Sequence, residues 1–324
     1  TAPFMSIFVP ASYQVKGGAK AYADSLIDMI NGIIVAHPDK FGQGNSPRQV
    51  RENFKQGKIS LPMGMENGAP IENDLANVAY FHRRGIRYVT LTHGKDNQIC
   101  DSSYDTTRTW KGLSPFGKDV VREMNRTGIM IDISHVSDEA FYQVLQTTKT
   151  PVIASHSSCR KFTPGWQRNM DDDMIRALGK NGGVIMINFG SDFLDISVQK
   201  NREEMRVKLS VALEEKGLKE DDPAAKPIVD EFRKQYHDKL FSDVEMVANH
   251  IDHVVKLAGV NHVGFGSDYD GVGDSLPVGL KDVTAYPNLI YVLLKRGYSA
   301  KDIEKMCYKN LFRVWKAVEK EAGK

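Results

Sequence analysis

The chain has 324 residues, 41% hydrophobic and 26% charged, enough apolar material to bury one large core or two ordinary ones. Its 43 basic and 41 acidic residues are mixed along the chain to a formal net charge of +2, so no basic face for nucleic acid is implied. No apolar run approaches the roughly 20 residues that span a bilayer, and three scattered cysteines, Cys100, Cys159 and Cys307, exclude a disulfide framework or a CxxC metal site. Free thiols are expected, with a Cys100–Cys159 bridge as the alternative. The sequence opens on Thr1 without the basic start of a signal peptide and enters a strand-like run at once, so an N-terminal piece is expected upstream. A signal peptide there would make the protein periplasmic or secreted; otherwise it would be cytoplasmic.

Residues 4–9 (FMSIFV) read as a buried strand, 19–37 as an apolar-periodic helix, and 46–56 as a polar helix capped by Ser46 and started by Pro47. A short strand is expected over 59–65 (ISLPMGM), ending at Glu66. A helix over 71–84, stopped by Gly85, and a strand over 88–92 running into His93 come next. After a polar loop, residues 115–127 form a helix closed by Gly128. Two apolar runs follow, 129–133 and 151–154, each leading into a Ser-His pair and separated by a helix-length segment, which makes one βαβ unit. Such a crossover is right-handed and sets its strands parallel, so His135 and His156 emerge on the same sheet edge.

Beyond a loop that reaches Arg168, the pattern gives a helix over 171–180 and a strand over 184–188. A helix over 242–257, a strand over 262–266 ending at Ser267 and Asp268, and closing helices near 289–296, 299–306 and 311–320 complete the chain. Residues 198–240 break the rhythm with dense Lys, Arg and Glu. They read as a charged helical insertion between the last two strands, either a solvated excursion or a lid or homodimer contact.

Seven strands alternating with helices imply a parallel sheet covered by helices, in a single domain over 1–324. Glu66, His93, His135, His156 and Asp268 all follow strands. In an open doubly wound sheet ligands gather at one switch point, whereas in a barrel all strand ends meet at one mouth. The convergence favours an α/β fold of the (β/α)8 TIM barrel type. Its first strand would then be missing from this chain and lie upstream of Thr1.

A carboxylate and two imidazoles, Glu66, His135 and His156, are a ligand set that suits zinc or a similar divalent ion. A metal held this way brings the pKa of a bound water toward about 7, supplying hydroxide near neutral pH. Asp268 is placed to ligate the metal or take the water's proton, or else to form an Asx-turn in the SDYDG loop. His93 is either a donor to an oxyanion on a substrate carbonyl or a core histidine bonded to backbone. Arg168 suits a substrate carboxylate, or pairs with Asp171 or Asp172. His250 and His253 lack the HExxH pattern and are expected to be structural, and no Walker loop or GxSxG elbow is present.

The segments GMENGAPI, RYVTLTHGKDN, GLSPFGKDVVREMNRTGIMIDISHVS, PVIASHSS, RNMDDD and HVGFGSDYDGV, in that order, resemble the membrane (renal) dipeptidase family of zinc peptidases. The resemblance implies an amidohydrolase-type barrel with two zinc ions at its mouth. Glu66 would bridge the ions and His135 and His156 would bind the second. His93 and Arg168 would contact a dipeptide substrate, and Asp268 would shuttle the proton. The family's first strand ends in a His-x-Asp pair that holds the first zinc, and nothing before Phe4 supplies it, so the first site is incomplete in this chain. The implied activity is hydrolysis of dipeptides, tolerant of D-residues at the carboxyl side, by a metal-bridging hydroxide. The alternatives are a catalytically dead barrel acting as a binding protein and an N-acyl-D-amino-acid deacylase.

Overall fold

The computed structural model describes residues 1–323. The apolar runs form strands β1 (Met5–Phe8), β2 (Phe41–Gln43), β3 (Ile59–Leu61), β4 (Met63–Glu66), β5 (Ile86–Thr90), β6 (Met130–Asp132), β7 (Ile153–Ser157), β8 (Val184–Ile187) and β9 (Val263–Phe265). Seven of them make one parallel sheet in the order β1-β4-β5-β6-β7-β8-β9. Each strand joins the same side of its predecessor and the order never reverses, so there is no switch point and the sheet curls in one direction. Among the described residues no ladder joins β9 to β1, and the sheet is a seven-stranded arc.

Two expectations change. The run over 59–65 is two strands divided at Pro62: β3 pairs with β2 in a separate two-stranded parallel sheet, and β4 enters the main one. Three residues are too short a span for β2 to show a period in the sequence. The helix expected from residue 71 begins at Ala76, because residues Ala69–Ile71 close a 3₁₀ turn and Asp74 Oδ1 accepts from the Ala76 N–H at 2.9 Å. The charged segment is helical, with Ile196–Glu214 and Lys226–Tyr236 packing around a small core of their own formed by Leu209, Leu213, Ala225 and Val229.

Alternate residues along the strands serve two cores, so both sheet faces are buried. Val89, Ile131, Ile185 and Ile187 pack outward with the covering helices. Tyr88, Met130, Ile153, Val184 and Met186 point inward against Phe312, Val314, Trp315 and Val318 of helix Asn310–Ala322. Gly64 lies in register with Tyr88, and a Cβ at Gly64 would fall 2.0 Å from the tyrosine ring. The missing side chain at 64 is therefore the space that the ring fills. All three cysteines are free thiols, Cys100 and Cys159 buried and Cys307 exposed. Among the described residues no helix is long and apolar enough to cross a membrane.

Candidate metal centre

Two residues beyond the apolar inner layer, the same sheet face turns polar, presenting Glu66 on β4, Thr90 on β5, Asp132 on β6 and Ser155 on β7. A register irregularity between Ala154 and Ser157 lets the successive residues Ser155 and His156 both reach this end of the sheet. His135 leaves β6 with φ 70°, Asn67 follows Glu66 with φ 83° and Asp268 follows β9 with φ 56°. Left-handed backbone costs a residue with a side chain about 1–2 kcal/mol. Here hydrogen bonds hold it: Asn67 Nδ2 donates to Val9 O at 2.9 Å, and His135 O accepts from Ser103 N at 2.7 Å.

Three imidazole nitrogens converge on one carboxylate oxygen. Glu66 Oε1 lies 3.2 Å from His156 Nε2, 3.4 Å from His135 Nε2 and 3.5 Å from His93 Nε2. His135 Nε2 and His156 Nε2 are 2.8 Å apart. Glu66, His93 and His135 offer donor atoms that all lie within 4.8 Å of one another. Ser6 Oγ donates to Glu66 Oε2 at 2.8 Å and so turns Oε1 toward the rings.

The hydrogen bonds behind His156 fit a metal ligand. Asp132 is buried and accepts from Thr90 Oγ1 at 2.5 Å, Ser155 Oγ at 2.5 Å, Ser155 N at 2.8 Å and Ser134 N at 3.0 Å. Ser155 Oγ donates its hydrogen bond to Asp132, so its oxygen accepts at 2.7 Å from His156 Nδ1. The proton on Nδ1 leaves the Nε2 lone pair free to face a cation, the arrangement by which outer hydrogen bonds set a ligating histidine. His135 Nδ1 is buried without a partner, so nothing in the protein fixes that ring's tautomer in the same way.

Charge balance within the cluster is uneven. Burial works to raise the Glu66 pKa, but the His156 charge and hydrogen bonds from His135 and His156 outweigh it and hold the carboxyl well below the ordinary range. Burial also works to lower His156, and the Glu66 carboxylate overcomes it, raising His156. His135 is pushed well down by burial and the neighbouring Arg168 charge, and His93 is lowered first by burial. Burial raises the Asp268 carboxyl with help from the Glu66 charge, while Asn188 Nδ2 donates to its Oδ2 at 2.9 Å.

The structure thus brings together Glu66, His93, His135 and His156, and Arg168 joins them from the side. Its guanidinium donates to Ser157 Oγ and His156 O, each at 2.7 Å. The alternative pairings of Arg168 do not occur, since Asp171 lies 3.6 Å from Arg160 and Asp172 bonds His253 at 2.7 Å. His250 and His253 are structural, as expected. His250 Nδ1 accepts from Cys159 N at 3.0 Å, and its Nε2 lies 2.9 Å from Leu194 O. Asp132, Ser155 and Ser6 belong to this site without a motif to mark them, although the carboxylate within the apolar run GIMIDIS is itself a signal, because buried charge is rare unless something binds it. A cavity of about 440 Å³ near Arg51, Lys309 and Phe312 offers no carboxylate or imidazole and is separate from this cluster.

Known proteins resemble this chain over its whole length. A dipeptidase of Claviceps purpurea (strain 20.1), tcpJ, is 34% identical over 297 residues, covering 92% of this chain and 60% of that protein, so the chain spans less than two thirds of this curated relative. The crystal structure of the probable dipeptidase PvdM from Pseudomonas aeruginosa superposes with a TM-score of 0.82 at 25% identity, covering 99% of this chain and 86% of that one. A metallo peptidase from Rhodobacter sphaeroides, liganded with a phosphinate mimic of the dipeptide L-Ala-D-Ala, shares the fold with a TM-score of 0.77 at 23% identity, over 97% of this chain and 86% of that one. The sequence profile of the membrane dipeptidase family matches residues 1–324, and the chain belongs to that family, peptidase family M19.

Proposed function

We propose that this chain is a zinc-dependent dipeptidase that hydrolyses the amide bond of dipeptides, including those with a D-residue at the carboxyl side. The observation that carries the reading is the convergence of three imidazole Nε2 atoms within 3.5 Å of Glu66 Oε1. The D-residue tolerance draws support from the L-Ala-D-Ala mimic held by the Rhodobacter relative. Glu66, His135 and His156 would hold the metal, and their mix of nitrogen and oxygen donors suits zinc. When bound, such an ion supplies Lewis acidity and lowers the pKa of water toward neutrality.

The chain's own residues would do the rest. His93, its pKa lowered by burial, stays neutral near pH 7 and keeps one N–H to offer the substrate carbonyl oxygen as water adds to the carbon and negative charge builds there. Asp268 takes a proton from the attacking water and passes it to the leaving amine. Asn188 Nδ2 donates to Asp268 Oδ2 and so holds the carboxyl in place for this transfer. Arg168, a buried cation whose donors meet only neutral acceptors, binds the substrate's carboxylate end. The arc from β1 to β9 would be completed as a (β/α)8 barrel by an eighth parallel strand between those edges, and a second ion would take its remaining ligands from there.

The test is hydrolysis of L-Ala-D-Ala, L-Ala-L-Ala and N-acetyl-D-alanine by zinc-loaded protein, together with elemental analysis. Dipeptide cleavage with at least one metal per chain is expected. Both should be lost in His156→Ala and in His135→Asn, the latter chosen because Asn tolerates positive φ. Cleavage of the N-acyl substrate alone would make the protein a deacylase, and a folded chain without metal or turnover would make it a binding protein.

A further inference from the structure

We infer that Tyr104 determines specificity on the carboxyl side of the site, binding a dipeptide's free carboxylate jointly with Arg168 and walling its last side chain together with Trp166. The inference rests on the dipeptidase reading. Arg168 is only 2% exposed, yet its partners are a serine hydroxyl and a backbone carbonyl, and its Nε has none. Phe193 covers one face of the guanidinium, 5.0 Å from ring centroid to Cζ. A buried guanidinium with only neutral acceptors is a receptor for a carboxylate.

Tyr104 stands over this receptor from the loop that follows β5. Its ring centroid lies 5.8 Å from that of His135 and 6.3 Å from that of Trp166, and Trp166 in turn packs 4.9 Å from Phe193. The tyrosine therefore reaches from the proposed metal ligands to the aromatic residues around Arg168, the span a substrate's carboxyl-side residue would occupy. Its phenol faces the Arg168 guanidinium and, as an ordinary tyrosine O–H donor at neutral pH, can share a carboxylate with it. An aromatic ring in such surroundings would ordinarily be covered, but Tyr104 remains 43% exposed, leaving a face for a ligand side chain.

The position is built rather than incidental. Tyr104 N donates to Ser102 Oγ at 3.1 Å and Ser103 N to His135 O at 2.7 Å. The Arg108 guanidinium donates to Ser102 O, Asp105 O and Gln167 Oε1, tying the Tyr104 loop to the loop that carries Trp166 and Arg168. Holding both loops before a ligand arrives lowers the ordering cost of binding.

The experiment compares Tyr104→Phe with wild type on L-Ala-D-Ala and on its C-terminal amide, which lacks the charge. Loss of one hydrogen bond to a carboxylate predicts KM for the free acid about tenfold higher, with a smaller change in kcat and matching kcat/KM on the amide. Equal losses on both substrates, or no loss on either, overturn the inference. Trp166→Ala should narrow the preference between dipeptides with large and small final residues; an unchanged ratio rejects the wall. If wild type cleaves no dipeptide, the dipeptidase reading fails on its own, and the clamp is read by quenching of tryptophan fluorescence. N-acetyl-D-alanine should then bind Tyr104→Phe about tenfold more weakly than wild type, N-acetyl-D-alaninamide should bind both alike, and equal affinities for the acid reject the clamp.

Discussion

A ring that accepts at one nitrogen and donates at the other has no room for a second proton, and His250 is held in that way. It accepts from Cys159 N, donates to Leu194 O and is fully buried, with a pKa lowered to about 4, first by burial. The unfolded chain protonates such a ring near 6.5. Stability from His250 is therefore whole above pH 6.5 and lost as pH falls toward 4, where the unfolded state alone takes the proton. One such proton contributes a slope of about 1.4 kcal/mol per pH unit in that window. Urea unfolding of wild type and His250→Gln between pH 7 and 4.5 should show the variant less stable at neutral pH but shallower in its acid dependence by about that amount; parallel curves would reject the role. The proposed ligands were legible because Glu66, His135 and His156 each follow an apolar run, where a polar residue stands out. Tyr104 and Trp166 were not, since they sit in loops with no period to mark which side chains turn inward.

Helix starts that carry a capping side chain were the clearest elements to read, whereas the uncapped start at Ala76 was misplaced, and the structure gives the physical reason. Ser46, Ser114, Ser137, Asp171 and Asp243 each accept a hydrogen bond from the backbone N–H three residues on, so the capping chemistry is local and visible in sequence. Strand partners are not local, which is why the run over 59–65 concealed a change of sheet at Pro62. Gly64 marks a similar long-range demand. In an isolated strand alanine would be preferred there, but the site for its methyl lies 2.0 Å from the Tyr88 ring, itself wedged between Phe4 and the inner core. Gly64→Ala should therefore cost about 1–3 kcal/mol, as overpacking does, and shift the layer on which Glu66 rests. Urea unfolding measures the first effect and metal affinity the second, and a variant as stable as wild type would show that Tyr88 moves freely.

On the scale of the whole chain, the order of strands along the sheet decides what a bound ion can do. The proposed ligands come from the ends of β4, β6 and β7, so one ion links Glu66 to histidines about 70 and 90 residues further along the chain, segments whose contacts otherwise run through neighbouring strands. The alternation of seven strands with helices was legible, because each apolar run is bounded by capping or turn residues. Closure was not, because it depends on strand pairing between chain ends. Cross-linking by an ion stabilises only the folded state, by RT ln(1 + [L]/Kd), about 4 kcal/mol when free zinc exceeds Kd a thousandfold. For a chain of this size each kcal/mol moves the midpoint by about 1.5 °C, so zinc should raise the unfolding temperature by roughly 6 °C over a chelated sample. Calorimetry should find that shift abolished in His156→Ala and retained in Tyr104→Phe, because only the first change removes a proposed ligand. A shift of equal size in His156→Ala would mean that zinc binds elsewhere, and the cluster around Glu66 would lose its claim to the metal.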